Sequence, residues 1–222
     1  RITWVDSKRF EKHPEELKEL SQFNGIIVPG GFGSSGVEGK IKSIQYAREH
    51  DIPYLGLCYG MQLATIEFAR NVCGMKDANT TEVDLKTEHP VITILESQKK
   101  AMEQGQFGAT MRLGAYAAVL KEGSLVQKLY KEKRLEKDTE RLKELRKDKA
   151  QAFRLGENAS NPSKEAIILE RHRHRYEVNP AFIDALEKEG FVFSGCHFRS
   201  DGTKLMEFME LPKHKYFVGT QS

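Results

Sequence analysis

Long apolar runs are missing from this chain. No stretch of its 222 residues approaches the roughly 20 consecutive apolar side chains of a membrane-spanning helix, and the opening residues carry no signal-peptide pattern. Cysteine is scarce: Cys58, Cys73 and Cys196 stand too far apart for a C-x-x-C metal pair and give no disulfide framework. A reducing, cytoplasmic setting fits that usage. Charge of one sign is absent too. The 35 Lys and Arg against 32 Asp and Glu leave a net charge of +3, too small to imply a nucleic-acid or membrane partner. No internal repeat is found. The length suits one domain with a real core.

Ile2 to Val5 and Gly25 to Val28 are short β-branched runs that end in turn residues, as buried strands do. Pro29 to Gly36 reads P-G-G-F-G-S-S-G, too rich in glycine for regular structure. Ile41, Ile44 and Tyr46-Ala47 then recur at helical spacing up to His50; Ile52 to Leu57 is a third strand and Met61 to Val72 a second helix. Strands alternating with helices predict an α/β fold with a parallel sheet covered on both faces.

The second half is less regular. Strands are expected at Pro90 to Leu95, within Ala109 to Leu120 (broken at Gly114), within Ala166 to Val178, and at Phe191 to Ser194, Leu205 to Leu211 and Phe217 to Thr220. Pro180 to Glu189 is expected to be a helix. From Lys131 to Lys149, 15 of 19 residues are charged, and Leu135, Leu142 and Leu145 are the large apolar side chains. That is a solvated helix with a thin apolar stripe, resting on the domain surface. Its nine basic and six acidic residues do not read as a nucleic-acid patch. Gly156 to Ser163 reads as a loop.

Chemistry concentrates at Gly56-Leu57-Cys58-Tyr59-Gly60, which has the G-x-nucleophile-x-G form of a strand-to-helix elbow. A side chain at so sharp a turn sits on strained backbone, and its neighbours two positions away must be tiny. The thiol is lifted above the strand ends at the positive end of a helix, a field that favours the reactive thiolate. The competing reading is a buried, inert packing cysteine. An acyl-transfer site also needs donors for an oxyanion. The Tyr59 amide and the Gly30-Gly31 backbone both lie beyond strand carboxyl ends, where α/β sheets collect ligands.

A general base is harder to find. In Arg171-His-Arg-His-Arg175 the alternation places His172 and His174 on one strand face and the arginines on the other. The H-x-H spacing has no third ligand nearby, so no metal is expected. His197 and His214 lie among polar residues and are expected at the surface.

P-G-G-F-G, G-L-C-Y-G-M-Q, N-T-T-E at 79 to 82, G-A-T-M-R-L-G at 108 to 114 and R-H-R-H-R-Y-E-V-N at 171 to 179 together resemble the glutaminase domains of the CTP synthase family. These are class I, triad-type glutamine amidotransferases, and the similarity covers nearly the whole chain. The resemblance implies a mixed, largely parallel central sheet of seven or more strands flanked by helices, flavodoxin-like, with residues 131–163 as a charged helical insertion. It implies that Cys58 attacks the glutamine side-chain amide to form a γ-glutamyl thioester and release ammonia. Gly31 and Tyr59 would supply the oxyanion-hole amides. Gly31, Tyr59, Gly60, Met61, Gln62, Glu82 and Arg175 would bind glutamine, and Phe32 and Arg112 would contact GTP, the family's activator. Without the resemblance, Glu82 and Arg175 read as ordinary surface charges.

The resemblance also implies no cofactor in this domain. ATP and Mg2+ belong to a synthetase domain of the same polypeptide, which aminates UTP to CTP within a homotetramer, and neither nucleic acid nor membrane is a partner. The domain is expected to continue at both ends. A first strand and helix would precede R-I-T-W-V-D-S, and a His-Pro-Glu segment carrying the catalytic base would follow Ser222. Two other readings stay open: a stand-alone γ-glutamyl hydrolase with the same elbow, and a non-catalytic regulatory module.

Overall fold

The computed structural model describes residues 1–96, 98–99, 111–156 and 166–222. A short helix α1 (Lys8–Lys12) and a 3-10 segment (Pro14–Gln22) lead into strand β1 (Ile26–Val28). Then follow α2 (Val37–Glu49), β2 (Tyr54–Leu57), α3 (Tyr59–Asn71), β3 (Asn79–Thr80) and β4 (Pro90–Thr93). The second half holds β5 (Arg112–Leu120), α4 (Leu125–Leu129), α5 (Glu132–Lys147), β6 (Ile167–His174) and β7 (Glu177–Val178). It ends with α6 (Ile183–Lys188), β8 (Val192–Phe198), β9 (Lys204–Glu210) and β10 (Phe217–Thr220).

Among the described residues, seven strands form one sheet in the order β1-β2-β10-β9-β8-β5-β6, and β3-β4-β7 form a second, small one. The large sheet is mixed, as expected, but its parallel part is narrower than predicted. Strand β2 runs parallel to β1 and β10, whereas the pairs from β10 to β6 are antiparallel. The reason lies in the connections: β8 and β9 are joined by a turn too short to carry a crossover.

Helix α3 is the centre of the core. Every residue from Tyr59 to Ala69 is buried, because the helix touches β2 and β10 of the large sheet and β3, β4 and β7 of the small one. A helix covered on both sides needs apolar residues all round, and Met61, Leu63, Ala64, Ile66 and Ala69 supply them. Helix α2 buries Val37, Ile41, Ile44 and Ala47, one stripe at helical spacing.

The charged helix does more than rest on the surface. Leu142 is fully buried among Ala117, Leu155, Ile167 and Leu169. Asp138, also fully buried, accepts the Leu169 backbone amide (3.0 Å) and Arg134 Nε (2.8 Å). Strand β6 is the sheet edge, so α5 covers an otherwise open row of backbone donors.

Several expectations fail. Ile2 to Val5 form no strand; Ile2 and Trp4 are 82% and 88% exposed, and β-branched character makes a strand only where a neighbour offers backbone groups. Helix α3 begins at Tyr59 rather than Met61. Strand β5 is continuous through Gly114, whose φ of 94° and missing Cβ leave room for the Arg154 guanidinium. Pro180 starts a 3-10 turn before α6. Gly108 to Thr110, and residues 157–163 of the expected loop, lie outside the described residues. Among the described residues, no helix is long and apolar enough to cross a membrane.

Candidate active site at the carboxyl ends of the parallel strands

Cys58 stands between the last residue of β2 and the first of α3, at φ 48° and ψ −99°. A cysteine at positive φ is strained, and strain of this kind gathers at functional turns. Its flanking glycines hold the turn. A Cβ on Gly56 would meet the Gly60 carbonyl carbon at 2.7 Å and the Met61 nitrogen at 2.8 Å, and one on Gly60 would strike the Val28 carbonyl. Strand and helix therefore meet backbone to backbone. The Cys58 amide donates to the Thr220 carbonyl (2.7 Å), and the Tyr54 hydroxyl to the Gly60 carbonyl (2.9 Å).

The glycine loop reaches the same place. A Cβ on Gly30 would lie 3.6 Å from that of Cys58, and one on Gly31 would lie 3.4 Å from Tyr59 Cδ1. Two side chains latch the loop. The Tyr59 hydroxyl donates to the Gly33 carbonyl (2.7 Å), and the Gly33 amide donates to Glu82 Oε1 (3.1 Å). Residues far apart in sequence, Gly30, Gly31, Cys58, Tyr59 and Glu82, are thus brought together.

Gln62 lies one turn into α3. Its Nε2 donates to the Tyr176 carbonyl (3.0 Å) and to Gln221 Oε1 (3.3 Å). Tyr176 follows Arg175, whose half-buried side chain has a buried Nε without a hydrogen-bond partner among the described residues. The Met61 side chain is fully buried in the core. Phe32 is 85% exposed, open to a stacking partner.

Arg112 is not at the surface. Its Nη1 lies 3.3 Å from Glu177 Oε1 and its Nη2 2.6 Å from Glu207 Oε1, and the guanidinium stacks over Tyr116 at 4.4 Å. Both carboxylates are buried, so Arg112 is held as their counter-charge and does not present itself to an effector in this conformation. His174 Nε2 sits 2.8 Å from Glu177 Oε1, and His172 Nε2 lies 3.2 Å from Glu207 Oε2. The alternation on β6 is as expected, with both imidazoles inside and Arg171 and Arg173 outside. His197, expected at the surface, is buried with Nδ1 2.8 Å from the Ala117 carbonyl oxygen, and His214 is half-buried against Ala47.

Electrostatics correct one expectation. Burial pushes the Cys58 thiol above its ordinary value; the Tyr59 amide and the Gln221 side chain pull it down, and the Glu177 and Glu82 charges push it up again. The helix start favours thiolate, but less than burial opposes it. Burial and the Arg112 charge hold His172 neutral, with its pKa pushed down to about 2. Among the described residues, no histidine is hydrogen-bonded to Cys58.

A glutamine amidotransferase class-I family model matches residues 2–222. The chain belongs to the class I glutamine amidotransferases. Within them it is 34% identical to a solved structure described as the Trypanosoma brucei CTPS glutaminase domain with bound acivicin. That match has a TM-score of 0.78 and covers 100% of this chain and 71% of that one. It is 45% identical over 221 residues to the CTP synthase of Sulfolobus acidocaldarius and 45% identical over 228 to that of Methanocaldococcus jannaschii. Each alignment covers 100% of this chain but only 34% and 35% of the relative, so the chain spans about a third of their length. It is thus a glutaminase domain of the CTP synthase type.

Sequence reasoning missed Gln221, Glu177 and Glu207. The sequence assigns no role to Gln221; the pairing of β10 beside β2 brings it to Cys58.

Proposed function

We propose that this chain hydrolyses L-glutamine and supplies ammonia to a synthetase domain of the same polypeptide. There, ATP with Mg2+ would drive amination of UTP to CTP. The observation that carries the reading is the strained Cys58 facing two side-chain-free loop positions, Gly30 and Gly31, across the carboxyl ends of parallel strands.

The chemistry follows from the geometry. The Cys58 thiolate attacks the side-chain amide carbon of glutamine, and the carbonyl electrons move onto oxygen. That oxyanion is held by the Gly31 and Tyr59 amides. The C–N bond then breaks, the nitrogen takes a proton, and ammonia leaves a γ-glutamyl thioester that water hydrolyses to glutamate. Glutamine carries an ammonium and a carboxylate, so its site needs one anion and one cation. Glu82, already at the loop, suits the ammonium, and Arg175, whose Nε has no partner among the described residues, suits the carboxylate. Gln62, with both N–H groups engaged, offers its carbonyl oxygen as an acceptor.

Strand β10 brings the chain up to the sulfur: the Thr220 carbonyl accepts from the Cys58 backbone amide, and the Gln221 side chain reaches Sγ. Phe32 is the remaining candidate for contact with GTP. A homotetramer is part of the same reading.

The test uses the natural full-length polypeptide and a diazo-ketone glutamine analogue. Labelling at Cys58 by mass spectrometry is expected, and Cys58→Ala should abolish labelling and glutamine-dependent CTP synthesis while sparing synthesis from free ammonia. Labelling confined to Cys73 or Cys196 would refute the site. Loss of synthesis with both nitrogen sources would refute the division of labour. A stand-alone γ-glutamyl hydrolase would instead process glutamyl peptides without any synthetase domain.

A further inference from the structure

Gln221 follows β10 directly and is fully buried. Its backbone amide donates to the Glu207 carbonyl (2.9 Å), which ties it to β9. Its side-chain Nε2 lies 3.6 Å from Cys58 Sγ, and its Oε1 accepts from Gln62 Nε2 at 3.3 Å. A carboxamide has one accepting end and one donating end, and its neighbours decide which way it points. Gln62 can offer only N–H here, because the same nitrogen also donates to the Tyr176 carbonyl. Reversing Gln221 would set two NH2 groups against each other and turn a carbonyl oxygen toward the sulfur. The Tyr176–Gln62–Gln221 chain therefore aims an N–H at Cys58.

We propose that Gln221 is a further catalytic residue, whose side-chain N–H stabilises the Cys58 sulfur while it carries negative charge and holds it in the attacking orientation. The bond transfers no proton; Gln221 keeps its hydrogen throughout. Glu207 positions Gln221 through its backbone, and its side chain is in turn fixed by Arg112 at 2.6 Å. The inference rests on Cys58 being the nucleophile. Charge-assisted bonds of this kind are stronger than neutral ones, and a half-buried thiolate is only partly solvated by water.

Three variants of the full-length polypeptide test this: Gln221→Met, which keeps the shape and loses the donor, Gln221→Asn, which is too short to reach, and Gln221→Glu, which reverses the polarity. The rate of Cys58 alkylation by iodoacetamide is followed against pH, beside glutaminase kcat and KM. The midpoint for alkylation should rise in all three, furthest in Gln221→Glu. The Met and Asn variants should lose about 10- to 100-fold in kcat, with KM within about twofold of the parent.

An unchanged midpoint and kcat in a folded Gln221→Met protein would overturn the proposal. So would a rise in KM alone, which would make Gln221 a binding residue, or failure of all three variants to fold, which would make it structural. Retention of glutaminase activity by Cys58→Ala would sink the nucleophile assignment itself. The alkylation profile reads the thiol whatever the substrate is, so the two failures are distinguishable.

Discussion

Replacing Gly56 by Ala tests the elbow most directly. The added Cβ would lie 2.7 Å from the Gly60 carbonyl carbon, 2.8 Å from the Met61 nitrogen and 2.8 Å from the Tyr54 hydroxyl, where 3.4 Å is an ordinary contact. The start of α3 must therefore move by about 0.7 Å, and two of the three obstacles are backbone that cannot rotate away. Retreat is blocked on the other side, because Gly60 already lies against the Val28 carbonyl. Misplacement of reacting groups by about 1 Å can cost about 100-fold, so a loss of about 10- to 100-fold in glutaminase kcat is expected. Overpacking should cost about 1–3 kcal/mol of stability, against a gain below about 1 kcal/mol from replacing glycine in a strand. Steady-state glutaminase assays and urea unfolding of the full-length polypeptide read the two effects. A Gly56→Ala enzyme with parental kcat and raised stability would refute the claim that the strand and helix meet backbone to backbone.

Arg112→Met leaves Glu177 and Glu207 buried without their counter-charge and should destabilise the fold by about 3–5 kcal/mol in urea titrations. Acid should weaken the parent protein by the same cluster. Burial raises the Glu177 carboxyl, but His174 and Arg112 outweigh it and hold it low, so its contribution is present above the ordinary carboxyl range and is lost on acidification. His172 is held neutral far below its ordinary value of 6.5, so the unfolded chain gains the proton first as pH falls through that value. Both effects have one sign; equal urea midpoints at pH 7 and pH 4 would contradict them, and His172→Phe should flatten the part nearest pH 6. Leu142→Ala should cost about 2–5 kcal/mol and speed hydrogen exchange at the Leu169 amide, with glutaminase kcat unchanged. Glu82→Gln keeps an acceptor for the Gly33 amide but removes a charge that raises the Cys58 thiol. Its alkylation midpoint should fall while glutamine KM rises by about tenfold or more; an unaltered KM would remove Glu82 from the substrate site.

Local geometry was the legible part of the site. Gly56, Cys58 and Gly60 announce a strained turn because the constraint lies within five residues, and the structure puts Cys58 at φ 48°. The β-branched runs at Ile26–Val28 and Phe217–Thr220 became strands for the same local reason. Long-range electrostatics were not legible. Arg112 looks like any basic residue until Glu177 and Glu207, 65 and 95 positions away, close around it. His197, between Cys196 and Phe198 on β8, faces the core, because the strand face a residue occupies decides its burial. Ile2 to Val5 shows the opposite error, an apolar pattern with no neighbouring strand to pair with.

The charges near Cys58 suggest an order of events at the site. Burial raises the Cys58 thiol above its ordinary value, with the Glu177 and Glu82 carboxylates adding to it, while the Tyr59 amide and Gln221 pull it down. If Glu82 takes the glutamine ammonium, substrate binding neutralises one of the two opposing charges just as the amide carbonyl arrives. Thiolate formation is then favoured by occupancy rather than maintained at rest. The nucleophile then forms where its target already lies, and Glu82, latched to the glycine loop by the Gly33 amide, is the group through which that coupling would act.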